Sequence, residues 1–321
     1  ENNLKKIISV FTAALIASSA LFTGCSKSTS DGANYTFDYA MPGNPESLDP
    51  QYASDENSRT VIGNLFLGLM TMDDKGVLQN GVADSYTASD DGLIYTFELK
   101  KDCYWFYDTN ENEEVEKDEY FPVTANDFVF AFQRIFNPET CSPHKEDFLC
   151  LKNAESISKG DMDYTEIGVH ASGDTELVFE LDYANAGFLN SLATTAAMPC
   201  NEEFFYNTKG RYGLDDKSVM SNGAFFIRQW FYDPYGHDNF VYMQRNLAND
   251  NHDKIYPSFL NFYIKDTKEE SESSFWSGDS DVLLTFINNR FCTTRHCIKG
   301  NEITTTRFHP GTNFKPLEFF L

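Results

Sequence analysis

Basic residues are scarce in this sequence. The 321 residues contain 25 Lys and Arg against 49 Asp and Glu, which gives a formal net charge of −24 at pH 7. A protein that binds nucleic acid needs a basic face for the phosphates. We therefore exclude nucleic acid as a partner. The negative charge favours solubility or a bias toward cationic ligands.

The motifs of the common catalytic and metal sites are also missing. The seven cysteines form no C-x-x-C pair, and the six histidines form no H-E-x-x-H motif. The sequence has neither a G-x-S-x-G elbow nor a phosphate-binding P-loop, which excludes the hydrolases and NTPases that depend on them. Two disulfide pairings stay open for an exported protein, Cys141 with Cys150 or Cys292 with Cys297.

The first 25 residues have the layout of a bacterial lipoprotein signal. Two lysines precede an uncharged run over residues 7–24, which ends at Cys25. The run is at the short end for a helix that spans a bilayer, and its order is typical of a secretory signal. The residues before Cys25 resemble a lipobox, with Phe22 where leucine is preferred. We expect residues 1–24 to be removed, Cys25 to be lipidated and residues 25–35 to form a flexible tether; an uncleaved anchor is the alternative.

Hydrophobic periodicity predicts helices interleaved with strands. Strands are predicted at residues 35–39 and 93–99, on both sides of the turn at 172–174, and three times between 222 and 266. Helices are predicted at 60–70, 125–136 and 186–198, and a helix, a turn and a strand at 267–286. Thr124 is the predicted N-cap of the second helix. The predicted class is mixed α/β, and no linker divides the chain after residue 35.

Six segments, in their order, resemble the bacterial extracellular solute-binding proteins that serve oligopeptide and dipeptide ABC transporters. The segments are ESLDPQ (46–51), NLFLGLM (64–70), GVADSYTASDDGLIYTFELKKDCYW (81–105), PVTANDFVFAFQRIFNP (122–138), SNGAFFIRQW (221–230) and SGDSD (277–281). The resemblance covers about residues 40–285, whereas residues 288–301 depart from the family pattern. It implies a periplasmic-binding-protein-like α/β fold of type II, with the extra domain of the peptide-binding group.

The resemblance also implies a division into domains. Residues 36–66 and 197–262 would form a discontinuous lobe I, and residues 67–196 would form the small extra domain. Residues 263–321 would begin lobe II, whose remainder lies beyond the sequence. A peptide would lie in the cleft between the lobes, and hinge closure would bury it.

The implied function is transport and not catalysis. The protein would be held at the extracytoplasmic face of the cell membrane by its lipid, or in the periplasmic space where an outer membrane exists. It would deliver peptides to an ABC permease driven by a separate ATPase. The resemblance places backbone contacts to the ligand at Ser54, Asp55 and Glu56. A further contact falls on His144, where the family has an aromatic residue after a Ser-Pro pair.

Other ligands and other classes of protein stay open. Within the family, the ligand is alternatively a nickel chelate, haem or an oligosaccharide. An exported acidic glycoside hydrolase would need two carboxylates that face each other across a cleft, and the sequence offers too many to single out a pair. A surface adhesin or a peptide-sensing lipoprotein would bind peptide without docking on a permease.

An acidic segment at residues 108–119 has the spacing of a calcium loop. The ligand positions of such a loop fall on Asp108, Asn110, Asn112, Glu114 through its carbonyl, Glu116 and Glu119. Calcium prefers about seven oxygen ligands, which this set resembles. Glu113 stands where the sharp turn requires glycine. The alternatives are a calcium site and an acidic, solvated hairpin tip; no other cofactor is expected.

The lipid anchor is tested by replacing Cys25. We expect Cys25→Ser to abolish incorporation of radiolabelled palmitate when the chain is expressed with residues 1–24 in a bacterium, because only a thiol at this position is placed for acylation. Cys141→Ser is the matched control and should keep the label. Label that survives Cys25→Ser refutes the assignment.

Overall fold

The computed structural model describes residues 36–283, except residues 74, 113–115, 237, 250 and 256. The predictions for residues 1–35, including Cys25, and those for residues 284–321 lie outside the described residues. The strands are β1 (Thr36–Pro42), β2 (Met70–Met72), β3 (Leu78–Asn80), β4 (Ala83–Ala88), β5 (Ile94–Leu99), β6 (Tyr104–Phe106), β7 (Tyr120–Pro122), β8 (Val169–Ser172), β9 (Glu176–Glu180), β10 (Phe225–Phe231), β11 (Asn239–Arg245), β12 (Phe259–Lys265) and β13 (Val282–Leu283). The α-helices are α1 (Glu56–Leu65), α2 (Ala125–Phe136), α3 (Ala154–Ser158), α4 (Phe188–Ser191), α5 (Glu202–Asn207) and α6 (Lys268–Ser277).

A five-stranded sheet has the order β10-β11-β12-β1-β13. Strand β1 pairs in parallel with β12 and β13, whereas β11 is antiparallel to β10 and β12. Side chains alternate between the two faces, so Leu260, Phe262 and Ile264 on β12 are buried. Tyr39 lies opposite Phe262 in the register, with ring centroids 5.0 Å apart. The strand predicted at residues 35–39 is confirmed over its described part, residues 36–39, and the three strands predicted between 222 and 266 are confirmed.

A four-stranded antiparallel sheet has the order β4-β5-β9-β8. Helix α2 packs on β8 and β9. Its Phe132 contacts Phe148 and Phe179 edge to face, with ring centroids 5.0 and 5.2 Å apart. One cluster of buried apolar side chains includes both Phe179 from this sheet and Phe262 from the five-stranded sheet. The division into lobe I and an extra domain stays a prediction.

The helix predicted at residues 60–70 is displaced toward the N-terminus. It begins at Glu56, because Asp55 is extended and its Oδ1 accepts the N–H of Ser58 at 2.9 Å. It ends at Leu65, because the backbone turns extended at Phe66. The carbonyl of Gly68 then accepts the N–H of Val82 at 2.9 Å. Residues 66–69 are therefore in neither a helix nor a strand, and Met70 begins strand β2.

The helix predicted at residues 186–198 is interrupted. Helix α4 covers only Phe188–Ser191, and a 3₁₀ turn follows at Thr195–Ala197. Thr194 separates them with extended torsion angles of φ −85° and ψ 159°. Its hydroxyl donates to the carbonyl of Ser191 at 2.7 Å. Threonine side chains compete in this way with helical hydrogen bonds.

Helix α2 has the predicted bounds and the predicted N-cap, Thr124. The carboxylate of Asp127 accepts the backbone N–H of Thr124 at 2.7 Å and the indole N–H of Trp105 at 3.1 Å. Asn201 donates to the other oxygen at 3.3 Å. Burial raises the pKa of Asp127 to about 6, although these hydrogen bonds favour the charged form.

Two further findings bear on the predictions for the described residues. Cys141 and Cys150 do not form a disulfide bond. None of the helices between residues 36 and 283 that the structure describes combines the length and apolar character that crossing a bilayer requires.

The buried carboxyl of Asp127 predicts that the stability of the fold depends on pH. Its pKa is about 6 in the folded state and about 3.9 in an unfolded chain, so the folded state binds this proton more tightly. The stabilisation is complete below about pH 4 and is lost as the pH rises through about 6. We expect the free energy of unfolding to fall by roughly 2–3 kcal/mol over that interval.

The measurement is urea denaturation of the chain between about pH 4 and 7. Asp127→Asn is the control, because an amide does not titrate in this range. The free energy of unfolding of this variant should therefore fall less between about pH 4 and 7. The same slope in both proteins would contradict the prediction.

Candidate functional site

The loop of residues 43–55, which leads from β1 to α1, is fixed by a buried ion pair. Nη1 of Arg134 donates to Oδ1 of Asp49 at 3.0 Å, and Nη2 donates to Oδ2. The side chains of Arg134 and Asp49 are only 5% and 10% exposed. Such a bidentate pair fixes both the distance and the orientation of its partners.

Neutral groups complete the surroundings of Arg134. Nη1 also donates to Oε1 of Gln51 at 2.7 Å, and the guanidinium lies over the ring of Phe205 at 4.2 Å from its centroid. The side-chain amide of Gln51 donates to the carbonyls of Ala196 and Met198 at 3.2 and 2.8 Å. The LDPQ motif is thereby tied to both helix α2 and residues 196–198.

Cys200 lies in contact with the same ion pair. Its Sγ is 3.5 Å from Nη1 of Arg134. Burial raises the pKa of the Cys200 thiol to about 12, so the thiol is neutral at physiological pH. The charged groups of the network are therefore the guanidinium and the carboxylate, which balance each other.

Ser54 follows this anchored turn and is exposed to solvent. The N–H groups of Tyr52 and Ala53 both donate to the carbonyl of Asp49, at 3.1 and 2.9 Å. No hydrogen bond among the described residues uses the backbone N–H or C=O of Ser54. The next residue, Asp55, has extended torsion angles of φ −78° and ψ 156°. Within the described part of the chain, the backbone of Ser54 is thus unpaired, and it follows a turn that Asp49 holds in place.

His144 contacts the residue that precedes Ser54. Its Nε2 lies 2.9 Å from the carbonyl oxygen of Ala53, and its Nδ1 lies 3.5 Å from a carboxylate oxygen of Asp147. The side chain is only 13% exposed. The structure therefore brings the predicted residues Ser54 and His144 together, although the sequence separates them by about 90 positions.

The side chains of the other two predicted ligand contacts, Asp55 and Glu56, both act at the N-terminus of helix α1. Asp55 caps helix α1 through its Oδ1. Glu56 is exposed in the first turn of the same helix, where a negative charge favours the helix dipole. Whether the backbone at 54–56 and His144 bind a ligand stays a prediction.

Three residues of this arrangement were not predicted from the sequence. Arg134 and Gln51 belong to the ion-pair network, and the indole N–H of Trp230 on β10 donates to Oδ1 of Asn44 at 2.9 Å. One signal was available for Arg134. It lies four positions after Phe130 on a helix rich in apolar residues, and a lone cation on such a face needs a buried partner.

The acidic segment predicted to bind calcium connects β6 and β7. Asp108, Asn110, Asn112, Glu116 and Glu119 are described, whereas Glu114 lies outside the described residues. Among the described residues no group of three or more His, Cys, Asp or Glu side chains is placed to hold a metal ion. A cavity of about 200 Å³ lies beside this segment and is lined by Phe106, Tyr107, Asp108, Glu111, Asp216, Lys217, Val219, Phe226, Ile227 and Arg228. It shares no residue with the 52–56 segment.

Removing Arg134 should destabilise the fold strongly. Arg134→Ala leaves the carboxylate of Asp49 buried without its counter-ion, which costs about 3–5 kcal/mol. Arg211→Ala is the matched control. It breaks an Arg–Asp pair with Asp215 in which Arg211 is 66% exposed, and it should cost less than about 1 kcal/mol. Urea denaturation of both variants checks this, and equal losses would contradict the assigned role.

The comparisons with known proteins agree with this architecture. The family described as bacterial extracellular solute-binding proteins, family 5 Middle, matches residues 77–247, which is more than half of the chain. The oligopeptide-binding protein AliB of Streptococcus pneumoniae is 28% identical over 217 residues, which cover 67% of this chain and 32% of AliB. The probable deoxycholate-binding periplasmic protein YgiS of Escherichia coli is 29% identical over 197 residues, which cover 60% of this chain and 34% of YgiS.

A solved structure gives the same result for the fold. The substrate-binding domain of an oligopeptide ABC transporter from Bacillus anthracis superposes with a TM-score of 0.67 at 29% identity, covering 78% of this chain and 45% of that chain. The predicted periplasmic-binding-protein-like α/β fold is confirmed. The chain spans about a third of the length of the two curated relatives. Because the family match covers more than half of the chain, this chain belongs to the bacterial extracellular solute-binding proteins of family 5.

Proposed function

We propose that this chain contributes one wall of the peptide-binding cleft in the solute-binding component of an ABC importer. The observation that carries the proposal is that Ser54 is exposed and that its backbone has no hydrogen-bond partner among the described residues. A ligand peptide in an extended conformation would pair with this backbone as an added strand. Closure of the complete protein about a hinge would then bury the peptide.

Backbone pairing suits a ligand of variable sequence. Every residue of a peptide except proline offers the same N–H and C=O groups, so recognition through Ser54 would be indifferent to the ligand's side chains. A rigid support lowers the entropy lost on binding. The contacts of Ala53 with Asp49 and His144 supply such a support on one side of Ser54.

The relatives support a role in transport. The name of AliB describes an oligopeptide-binding protein, and the Bacillus anthracis structure is the substrate-binding domain of an oligopeptide ABC transporter. By extension, the complete protein would act at the extracytoplasmic face of the membrane, held there by a lipid on Cys25. It would release peptides to a permease driven by a separate ATPase.

A ligand that is not a peptide is the alternative within the family. One relative is named as a probable deoxycholate-binding protein. A sterol acid, a nickel chelate, haem or an oligosaccharide would not present the regular series of N–H and C=O groups that an extended backbone matches. The geometry at Ser54 therefore favours a peptide.

The proposal predicts that the backbone N–H of Ser54 matters and that its side chain does not. Ser54→Pro removes the N–H, and we expect the affinity for peptide to fall about tenfold, the effect of losing one hydrogen bond of roughly 1–1.5 kcal/mol. Ser54→Ala keeps the N–H and should bind within about twofold of the parent. Calorimetric titration of the complete protein with a pool of synthetic pentapeptides is the measurement.

The melting temperature of each variant controls for changes in folding. Equal affinities of Ser54→Pro and the parent, at equal melting temperatures, would remove the support for backbone pairing at this position. An equal loss in Ser54→Ala would assign the contact to the hydroxyl group instead.

A further inference from the structure

The carbonyl of Ala53 and the N–H of Ser54 belong to one peptide unit. Its peptide bond is trans, since the described part of the chain contains no cis bond. In a planar trans unit the two groups point in opposite directions. The carbonyl lies 2.9 Å from Nε2 of His144, whereas the N–H has no partner among the described residues. The peptide unit is therefore held on one side and open on the other.

Both ring nitrogens of His144 face oxygen atoms. Nε2 carries a hydrogen atom and donates it, because the carbonyl oxygen of Ala53 can only accept. Nδ1 lies 3.5 Å from Oδ2 of Asp147. A neutral imidazole carries a single N–H, so only the protonated ring presents an N–H to both oxygens. With its nitrogens turned toward these two partners and most of its surface buried, the ring has little left with which to contact a ligand.

Asp147 is the acidic side chain that acts on the ring. Among the described residues, no other carboxylate oxygen lies within 4.0 Å of either ring nitrogen of His144. On the opposing segment, Asp49 belongs to the buried ion pair and Asp55 caps helix α1. The other charged side chains of these two segments are Glu46, Glu56, Lys145 and Glu146.

A donor on the carbonyl affects the N–H at the other end of the same amide. Hydrogen bonds in a chain polarise one another, so the bond from His144 makes the N–H of Ser54 a better donor. It also fixes the plane of the amide, which directs this N–H away from His144. A charged donor binds more strongly than a neutral one, so both effects increase when the ring is protonated.

We propose that His144 is a positioning residue that acts on a bound peptide through the amide between Ala53 and Ser54, without touching the peptide itself. This rests on the proposed function, since it requires a ligand carbonyl that accepts the N–H of Ser54. Histidine side chains change their charge between about pH 5 and 8. The affinity for peptide is therefore higher at the acidic end of that range.

Calorimetric titration of the complete protein with the pool of synthetic pentapeptides tests this role. His144→Phe removes the donor, and we expect the affinity to fall about fivefold or more, because the entropy cost of fixing the amide then falls on binding. His144→Gln keeps a donor, since the amide nitrogen of glutamine is as many bonds from the backbone as Nε2 of histidine. It should bind within about twofold of the parent at neutral pH.

A double-mutant cycle with Ser54→Pro separates an indirect role from a direct contact. His144→Phe should lower the affinity of the parent but have no further effect in the Ser54→Pro background, where the N–H is absent. An equal loss in both backgrounds would overturn the proposal, because it would show a contact that bypasses this amide. Equal affinities of a folded His144→Phe and the parent would also overturn it, whereas a loss in Ser54→Pro alone would leave the proposed function standing.

The pH profile is a readout that a merely structural side chain would not change. From about pH 5 to 7 the affinity of the parent should fall about two- to threefold more than that of His144→Gln. Titration of the ligand and of Asp127 affects both proteins and cancels in this comparison. His170→Gln is the matched control, because His170 is 54% exposed on β8, and it should keep the profile of the parent.

The melting temperature shows whether each variant is folded. Where His144→Phe does not fold, the profile of His144→Gln decides, because this variant keeps the hydrogen bond to Ala53. Identical pH profiles of His144→Gln and the parent would overturn the proposal.

Discussion

The ion pair between Arg134 and Asp49 fixes the part of the chain on which the candidate ligand site depends. It joins helix α2 to the loop after β1 across 85 residues of sequence. Charges leave water only when close partners compensate them, and here a glutamine and aromatic rings surround the pair. The carbonyl of Asp49 accepts the N–H of Ala53, so the position of Asp49 also sets the position of Ser54.

An unpaired backbone unit on a rigid support is unusual, because folded proteins satisfy most of their backbone polar groups internally or with water. At Ser54 this feature coincides with exposure to solvent and with the contact between His144 and Ala53. A flexible loop would lose entropy when it bound a peptide, whereas a fixed strand-like segment loses little. The ion pair thus connects the stability of the fold with its proposed capacity for binding.

Secondary structure was predicted correctly from the sequence where local preferences and tertiary contacts favour the same conformation. Helix α2 has the predicted bounds because its apolar period, its cap at Thr124 and the following proline all mark the same segment. The prediction for residues 60–70 was wrong because an apolar run does not distinguish a helix from a buried extended segment. Ser54 and His144 were predicted as ligand contacts from the family resemblance. Their proximity and the role of Arg134 depend on long-range contacts, which a single sequence does not reveal.

The central claim is that the cleft holds a peptide by its backbone. The most direct measurement is mass spectrometry of the ligand that co-purifies with the complete protein, isolated without residues 1–25 and released by mild denaturation. The account predicts a mixture of short peptides with diverse side chains, since backbone pairing does not select sequence. A single sterol acid, sugar or metal chelate in their place would contradict it.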